Sequence, residues 1–177
     1  MGKTLTAQTD PPGVGLAANQ VGLNLSLFII KPTAKSLVKV FINPKIVKVG
    51  QSRSSQLNQS KSDSQSQLNR SKSVESVTNS TDSTNLTKKR RKRIKLEGCL
   101  SIPRIWGPAK RAERIFLHYR DLTGKKYLKW FSGFEAMIIQ HEVDHLNGIV
   151  FTQRSLEQNL PIYKEKDGQL EKITDIS

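Results

Sequence analysis

A chain of 177 residues has room for one domain, and its 36% hydrophobic content falls below the roughly 45–50% usual for globular domains. No apolar run approaches the roughly 18–20 residues that a membrane-spanning helix requires, and a single cysteine, Cys99, excludes an internal disulfide framework. The net charge of +14 is compatible with anionic neighbours but names none of them.

Residues 1–12 are polar, end in Pro11-Pro12 and read as a loop, with neither a signal-peptide core nor an Arg/Ser-rich transit sequence. A Gly-rich turn follows at Gly13-Val14-Gly15, then Leu16 to Val21 and a strand-like run from Leu25 to Ile30. Val38 to Ile42 and Lys45 to Val49 read as two further strands, separated by Asn43-Pro44. From 51 to 93 the composition changes: 25 of 43 positions are Ser, Thr, Asn or Gln, and only five are aliphatic. Such a stretch buries too little apolar surface to offset its ordering entropy, so it is expected to be a disordered, low-complexity insertion. It carries ten Lys/Arg against three Asp/Glu and ends in the basic run Lys88 to Arg93, which reads either as a site for RNA, anionic lipid or an import receptor or as a solvated charge block with no specific partner.

Beyond the insertion, Ile94 to Ile102 reads as extended chain that stops at Pro103, and Ile115 to Tyr119 as a strand. A turn at Asp121-Leu122-Thr123-Gly124 leads into a strand over Tyr127 to Phe131. One helix is predicted from about Phe134 to Leu146, stopped by Asn147-Gly148. Ile149 to Thr152 is expected to leave it as a short strand, and Lys166 to Gln169 suggests a turn in the tail. Several antiparallel or mixed strands around one central helix make an α+β fold.

The helix carries the densest chemistry. His141-Glu142-Val143-Asp144-His145 is H-E-x-x-H, and residues i and i+4 of a helix lie on one face about 6 Å apart, so both imidazoles can reach a single metal ion. Glu142 sits beside that ion, free to act as a base. The alternative is a helix with two satisfied histidines, which the apolar Met137, Ile138 and Ile139 just before the motif make less favourable. A catalytic metal site needs a third protein ligand, and Cys99 in Glu97-Gly98-Cys99-Leu100-Ser101 is the candidate, although taken alone it reads more readily as a buried, inert thiol. Gly13 to Gln20 lacks the spacing of a nucleotide loop; its small residues fit a tight packing strip ending in the Gln20 amide. Phe134, Met137, Ile138 and His141 fall on one helical stripe, so apolar side chains line the face of the first ligand.

Taken in order, G-x-G-L-A-A-x-Q at Gly13–Gln20, E-G-C-L-S at Glu97–Ser101 and Q-H-E-x-D-H at Gln140–His145 resemble the peptide deformylase family at every motif position. The resemblance extends to Gly133-Phe134 and Leu146-Asn147-Gly148, spanning most of residues 13–151. It implies a peptide deformylase-like α+β domain over 1–177, interrupted by 51–93 and lacking the family's usual N-terminal helix. It also implies a metal-dependent hydrolase that removes the formyl group from the N-terminal formylmethionine of nascent proteins. Cys99, His141 and His145 would hold the metal, Glu142 would be the general base, and Gln20 with the Leu100 backbone N–H would stabilise the oxyanion. Gly15, Val14, Phe134, Met137 and Ile138 would surround the substrate methionine. Glu97, counted among these substrate neighbours, is also with Asp144 a candidate for orienting the ligands. The resemblance assigns no role to Arg104 to Pro108.

Two imidazoles and a thiolate suit Fe²⁺ and Zn²⁺ alike; the resemblance favours Fe²⁺, with Zn²⁺ as the alternative. The implied partners are formylmethionyl peptides at a ribosome, which places the protein in a mitochondrion or plastid if eukaryotic and in the cytoplasm if bacterial. Two rival readings stand beside this one: a metalloprotease, which shares H-E-x-x-H, and a non-enzymatic fragment whose Lys88–Arg93 run binds RNA or serves as an address.

Overall fold

The computed structural model describes residues 1–50 and 95–174; the expected insertion at 51–93, with its basic run Lys88–Arg93, lies outside the described residues. The fold is α+β, built on two antiparallel sheets among the described residues. The larger sheet has the order β1 (Gly15–Ala17), β2 (Leu27–Ile30), β3 (Lys39–Gly50), β6 (Arg114–Arg120), β7 (Lys126–Ser132). The smaller runs β4 (Leu96–Cys99), β5 (Ile102–Pro108), β8 (Tyr163–Lys166), β9 (Gln169–Lys172). Among the described residues three α-helices accompany them: α1 (Gly2–Ala7), α2 (Gly133–Leu146) and α3 (Phe151–Glu157).

The core explains why α2 lies where it does. Strand alternation turns Phe28, Ile30, Phe41, Ile115, Leu117, Tyr119 and Phe131 to one face of the larger sheet, where Ala136, Ile138 and Ile139 of α2 pack against them. Phe28 and Phe41 stack at 4.8 Å between ring centroids, and Tyr119 sits 4.6 Å from Phe41. Each such side chain removed from water contributes about 1.5–3 kcal/mol. Gly133, at φ 60, makes the abrupt turn from β7 into α2, a conformation that favours glycine. Lys39 of β3 pairs with Glu135 in the first turn of α2 and ties the two together at the surface.

Four expectations need correcting. Residues 1–12 are not wholly loop: α1 forms because Leu5 is buried against Leu16 and Ile29, an anchor that a single apolar residue in a polar run does not signal. The two strands around Asn43-Pro44 are one strand, β3, whose register against β6 shifts between Ile42 and Lys45. Asn43 adopts φ 49 there, and at such a bulge Pro44 can be accommodated without breaking the ladder. Pro103 does not end the extended chain either. The register of β4 with β5 jumps from Cys99–Ile102 to Gly98–Trp106, so the missing N–H of Pro103 falls where β4 asks for no bond. Finally, Ile149 to Thr152 does not form a strand. Phe151 and Ser155, one helical turn apart, are both buried, and the Ser155 hydroxyl lies 2.8 Å from the Pro108 carbonyl oxygen as donor. Burial of that face outweighs the β propensity of Ile149 and Val150 and sets α3.

Candidate metal and catalytic site

The two sheets and α2 enclose a cleft of about 560 Å³ lined by residues of all three sequence motifs. Into it α2 delivers His141 and His145 from one face, and the end of β4 delivers Cys99, with the turn to β5 beginning at Leu100. The Cys99 Sγ lies 3.0 Å from His145 Nε2, which lies 3.1 Å from His141 Nε2. The ligand atoms of the three residues all fall within 4.8 Å of one another, a cluster that can hold one metal ion.

The electrostatics of the cluster fit a cation. Burial would raise the Cys99 thiol, but hydrogen bonds with His141 and His145 and the charge of His145 outweigh it and bring the pKa down to about 5. Burial would lower His141, yet the Cys99 and Glu97 hydrogen bonds and the nearby carboxylates lift it to about 10. The thiolate is therefore favoured, and the proton it gives up is held by its neighbours, which is where a divalent ion would compete. Glu142 is 3% exposed, and its Oε2 is buried with no hydrogen-bond partner among the described residues. Desolvation, helped by the charges of Cys99 and Glu97 and opposed by His141, pushes its pKa up to about 8. An orphaned buried carboxylate beside a soft donor set is costly unless it has work to do there.

Each ligand is held from behind. Glu97 accepts from Arg111 twice at 2.8 Å, and its Oε2 lies 2.9 Å from His141 Nδ1, which leaves His141 Nε2 to face the cluster. Arg111 also donates to Asp144 at 2.5 Å, and Arg154 holds the other oxygen of Asp144 at 2.8 Å. Both Glu97 oxygens are thus engaged by Arg111 and His141, and the residue also lines the cleft. Asn19 Nδ2 donates to the His145 carbonyl, locking the 3₁₀ turn Ala18–Val21 to the helix that bears the ligands.

The small residues of the first motif act by closeness. Ala17 and Ala18 are fully buried, and the turn they begin sets Gln20 over the cluster. The Ala17 N–H donates to Gln20 Oε1 at 2.8 Å, so the amide must present its NH₂ to Cys99 Sγ at 3.5 Å and Ser101 Oγ at 2.9 Å. A Cβ on Gly15 would stand 2.2 Å from Glu142 Oε1, so only glycine fits beside that carboxylate. Leu100 follows Cys99 at the start of that turn, and Val14, Phe134, Met137 and Ile138 form an apolar wall near Glu142 and His141.

A family model for polypeptide deformylases matches residues 1–160. The chain belongs to the polypeptide deformylase family. It is 33% identical over 139 residues to a peptide deformylase of Borreliella burgdorferi, covering 78% of this chain and 61% of that one. Against the peptide deformylase of Rhodopirellula baltica it is 32% identical over 164 residues, 91% of this chain and 60% of the other. The chain therefore spans about three-fifths of the length of these curated deformylases. Among solved structures, a Met-Ala-Ser-bound class I type b peptide deformylase of Acinetobacter baumannii superimposes with a TM-score of 0.53 at 28% identity, over 82% of this chain and 72% of that one.

Asn19, Arg111 and Arg154 are the site residues that sequence reasoning missed. Asn19 lies inside a motif whose neighbours carry the resemblance, which was the one available signal. Arg111 and Arg154 meet their carboxylates across 10 to 33 positions of chain and leave no local pattern.

Proposed function

We propose that this chain is a peptide deformylase, which hydrolyses the formyl amide at the N-terminal formylmethionine of new polypeptides and releases formate and a free amine. The observation that carries the reading is the buried, unpartnered Glu142 carboxylate, set beside Cys99, His141 and His145 in an open cleft. Cys99, His141 and His145 would hold a divalent metal, which when bound would supply Lewis acidity and lower the pKa of a water in the cleft. Fe²⁺ is the ion we favour and Zn²⁺ the alternative, since two imidazoles and a thiolate accept either.

The chain's own groups do the rest. Glu142 takes a proton from the attacking water as its oxygen bonds to the formyl carbon. Negative charge then builds on the former carbonyl oxygen, and the Gln20 NH₂ and the Leu100 N–H are the donors we assign to it. Glu142 returns the proton to the leaving nitrogen as the C–N bond breaks. Gly15 admits the peptide backbone beside Glu142, while Val14, Phe134, Met137 and Ile138 receive the methionine side chain. Glu97, Arg111 and Asp144 keep His141 in place. The natural substrates are chains still near the ribosome, in a mitochondrion or plastid if the source is eukaryotic.

Anaerobic purification with metal analysis, followed by parallel assays on formyl-Met-Ala-Ser and on unformylated peptides, tests the proposal. We expect one metal ion per chain and formate release from the formylated peptide alone. Peptide-bond cleavage without formate release would make the chain a metalloprotease instead.

A further inference from the structure

The face of the larger sheet turned away from α2 has its own chemistry. Alternation sends Ile115, Leu117 and Tyr119 of β6 into the core, so Arg114, Phe116 and Arg120 stand on the opposite side. The register places Trp130 of β7 beside Phe116, and Lys48 of β3 beside Phe116 from the other flank, with Lys45 further along the same strand. At the β1–β2 end this face is covered by α1 through Leu5; along β3, β6 and β7 no other element among the described residues packs over it, and Trp130 is 43% exposed. None of these three strands contains an Asp or Glu. By composition the sequence that follows Gly50 is itself net basic over 51–93.

A field of cations without acids selects a polyanion. The aromatic pair narrows the choice. Phe116 and Trp130 lie 5.1 Å apart between ring centroids, and the Arg114 guanidinium sits 4.7 Å from the Trp130 ring, so the indole is braced at the surface. Exposed aromatic rings on an antiparallel sheet, flanked by Lys and Arg, form a platform on which unpaired bases stack while phosphates meet the cations.

We propose that this face binds single-stranded RNA, with a base stacked on Trp130 and phosphates along Lys45, Lys48, Arg114 and Arg120. The proposal stands on the sheet alone and does not depend on the reaction assigned to the cleft, which lies on the α2 side. The test is fluorescence anisotropy of a labelled, unstructured oligouridine with the full metal-loaded chain across a salt series. Trp130→Ala should weaken binding on the order of tenfold, while Trp130→Phe retains most of it. Lys48→Ala and Arg120→Ala, which do not touch the core, should each reduce the log–log salt slope by about 0.7. Formate release should be unchanged in all four variants. The proposal is overturned if the wild-type chain does not bind, or if binding is indifferent to all of these substitutions, which would assign it to another basic region such as Lys88–Arg93. Tighter binding to phosphatidylserine vesicles than to RNA, lost in the same variants, would also overturn it in favour of a membrane surface.

Discussion

Gly15 shows how much of this site depends on the absence of atoms. A single methyl group there would have to occupy space 2.2 Å from Glu142 Oε1, and the carboxylate has no exposed direction in which to retreat. Gly15→Ala should therefore displace the base without touching any of the three metal ligands. A misplacement of about 1 Å in a reacting group can cost on the order of 10²-fold in rate. The expected result is near-normal metal content with formate release reduced by about that factor. Normal activity in Gly15→Ala would mean that Glu142 is not fixed where the reaction needs it. The ligands themselves were legible from local spacing, because His141 and His145 meet on one helical face whatever the rest of the chain does. Cys99 was legible only as a candidate: taken alone it read as an inert thiol, and the resemblance carried by Glu97-Gly98-Cys99-Leu100-Ser101 tipped the reading.

At the level of elements, the buried chain Arg154–Asp144–Arg111–Glu97–His141 ties α3, α2, the β5–β6 connection and β4 to one metal ligand. Burial acts to raise the pKa of Glu97, but hydrogen bonds from Arg111 and His141 outweigh it and hold the carboxyl below its ordinary value. Asp144 is lowered in the same way, with Arg154 and Arg111 prevailing over burial. Both groups favour the ionised form when folded. Their contribution to stability is therefore present above the ordinary carboxylate pKa of about 4 and lost as pH falls through the lower folded values. Chemical unfolding followed from neutral pH into acid should show that loss, and stability rising on acidification would contradict it. Arg111→Leu should cost about 3 kcal/mol at neutral pH, because it removes the cation shared by two buried carboxylates and leaves Glu97 to His141 and Asp144 to Arg154, and should flatten the acid limb. This network could not be read from sequence, since an isolated Arg carries no sign of the carboxylates to which folding brings it. The same reason hid α1 and α3, each fixed by burial of Leu5 or of Phe151 and Ser155 and not by any periodicity of its own.

For the whole molecule, the α+β architecture and the central helix followed from alternating strands, turn residues and one stop signal, whereas the pairing order of the two sheets did not. Long-range register is set by which faces meet, as in β3, where a bulge at Asn43-Pro44 joins what composition divides. The insertion at 51–93 leaves the larger sheet at the end of β3 and returns just before β4 in the smaller one. We propose that it interrupts a single deformylase-like domain without contributing to it. Loop-closure cost changes by only about 0.6 kcal/mol for each doubling of length, so a short Gly-containing linker in its place should keep formate release within a few-fold. Loss of metal from that protein would show instead that the segment helps to build the site.

The reaction assigned to the cleft depends on Glu142 being the proton carrier and not a fourth ligand. The most direct test is metal content and formate release measured together on Glu142→Gln, prepared anaerobically beside the wild type. Cys99, His141 and His145 remain, so the metal should stay at one ion per chain, while loss of the base slows the reaction by about 10²–10⁴-fold. A Glu142→Gln protein that keeps both its metal and near-full activity would contradict the proposed chemistry, and one that loses its metal would make Glu142 a ligand.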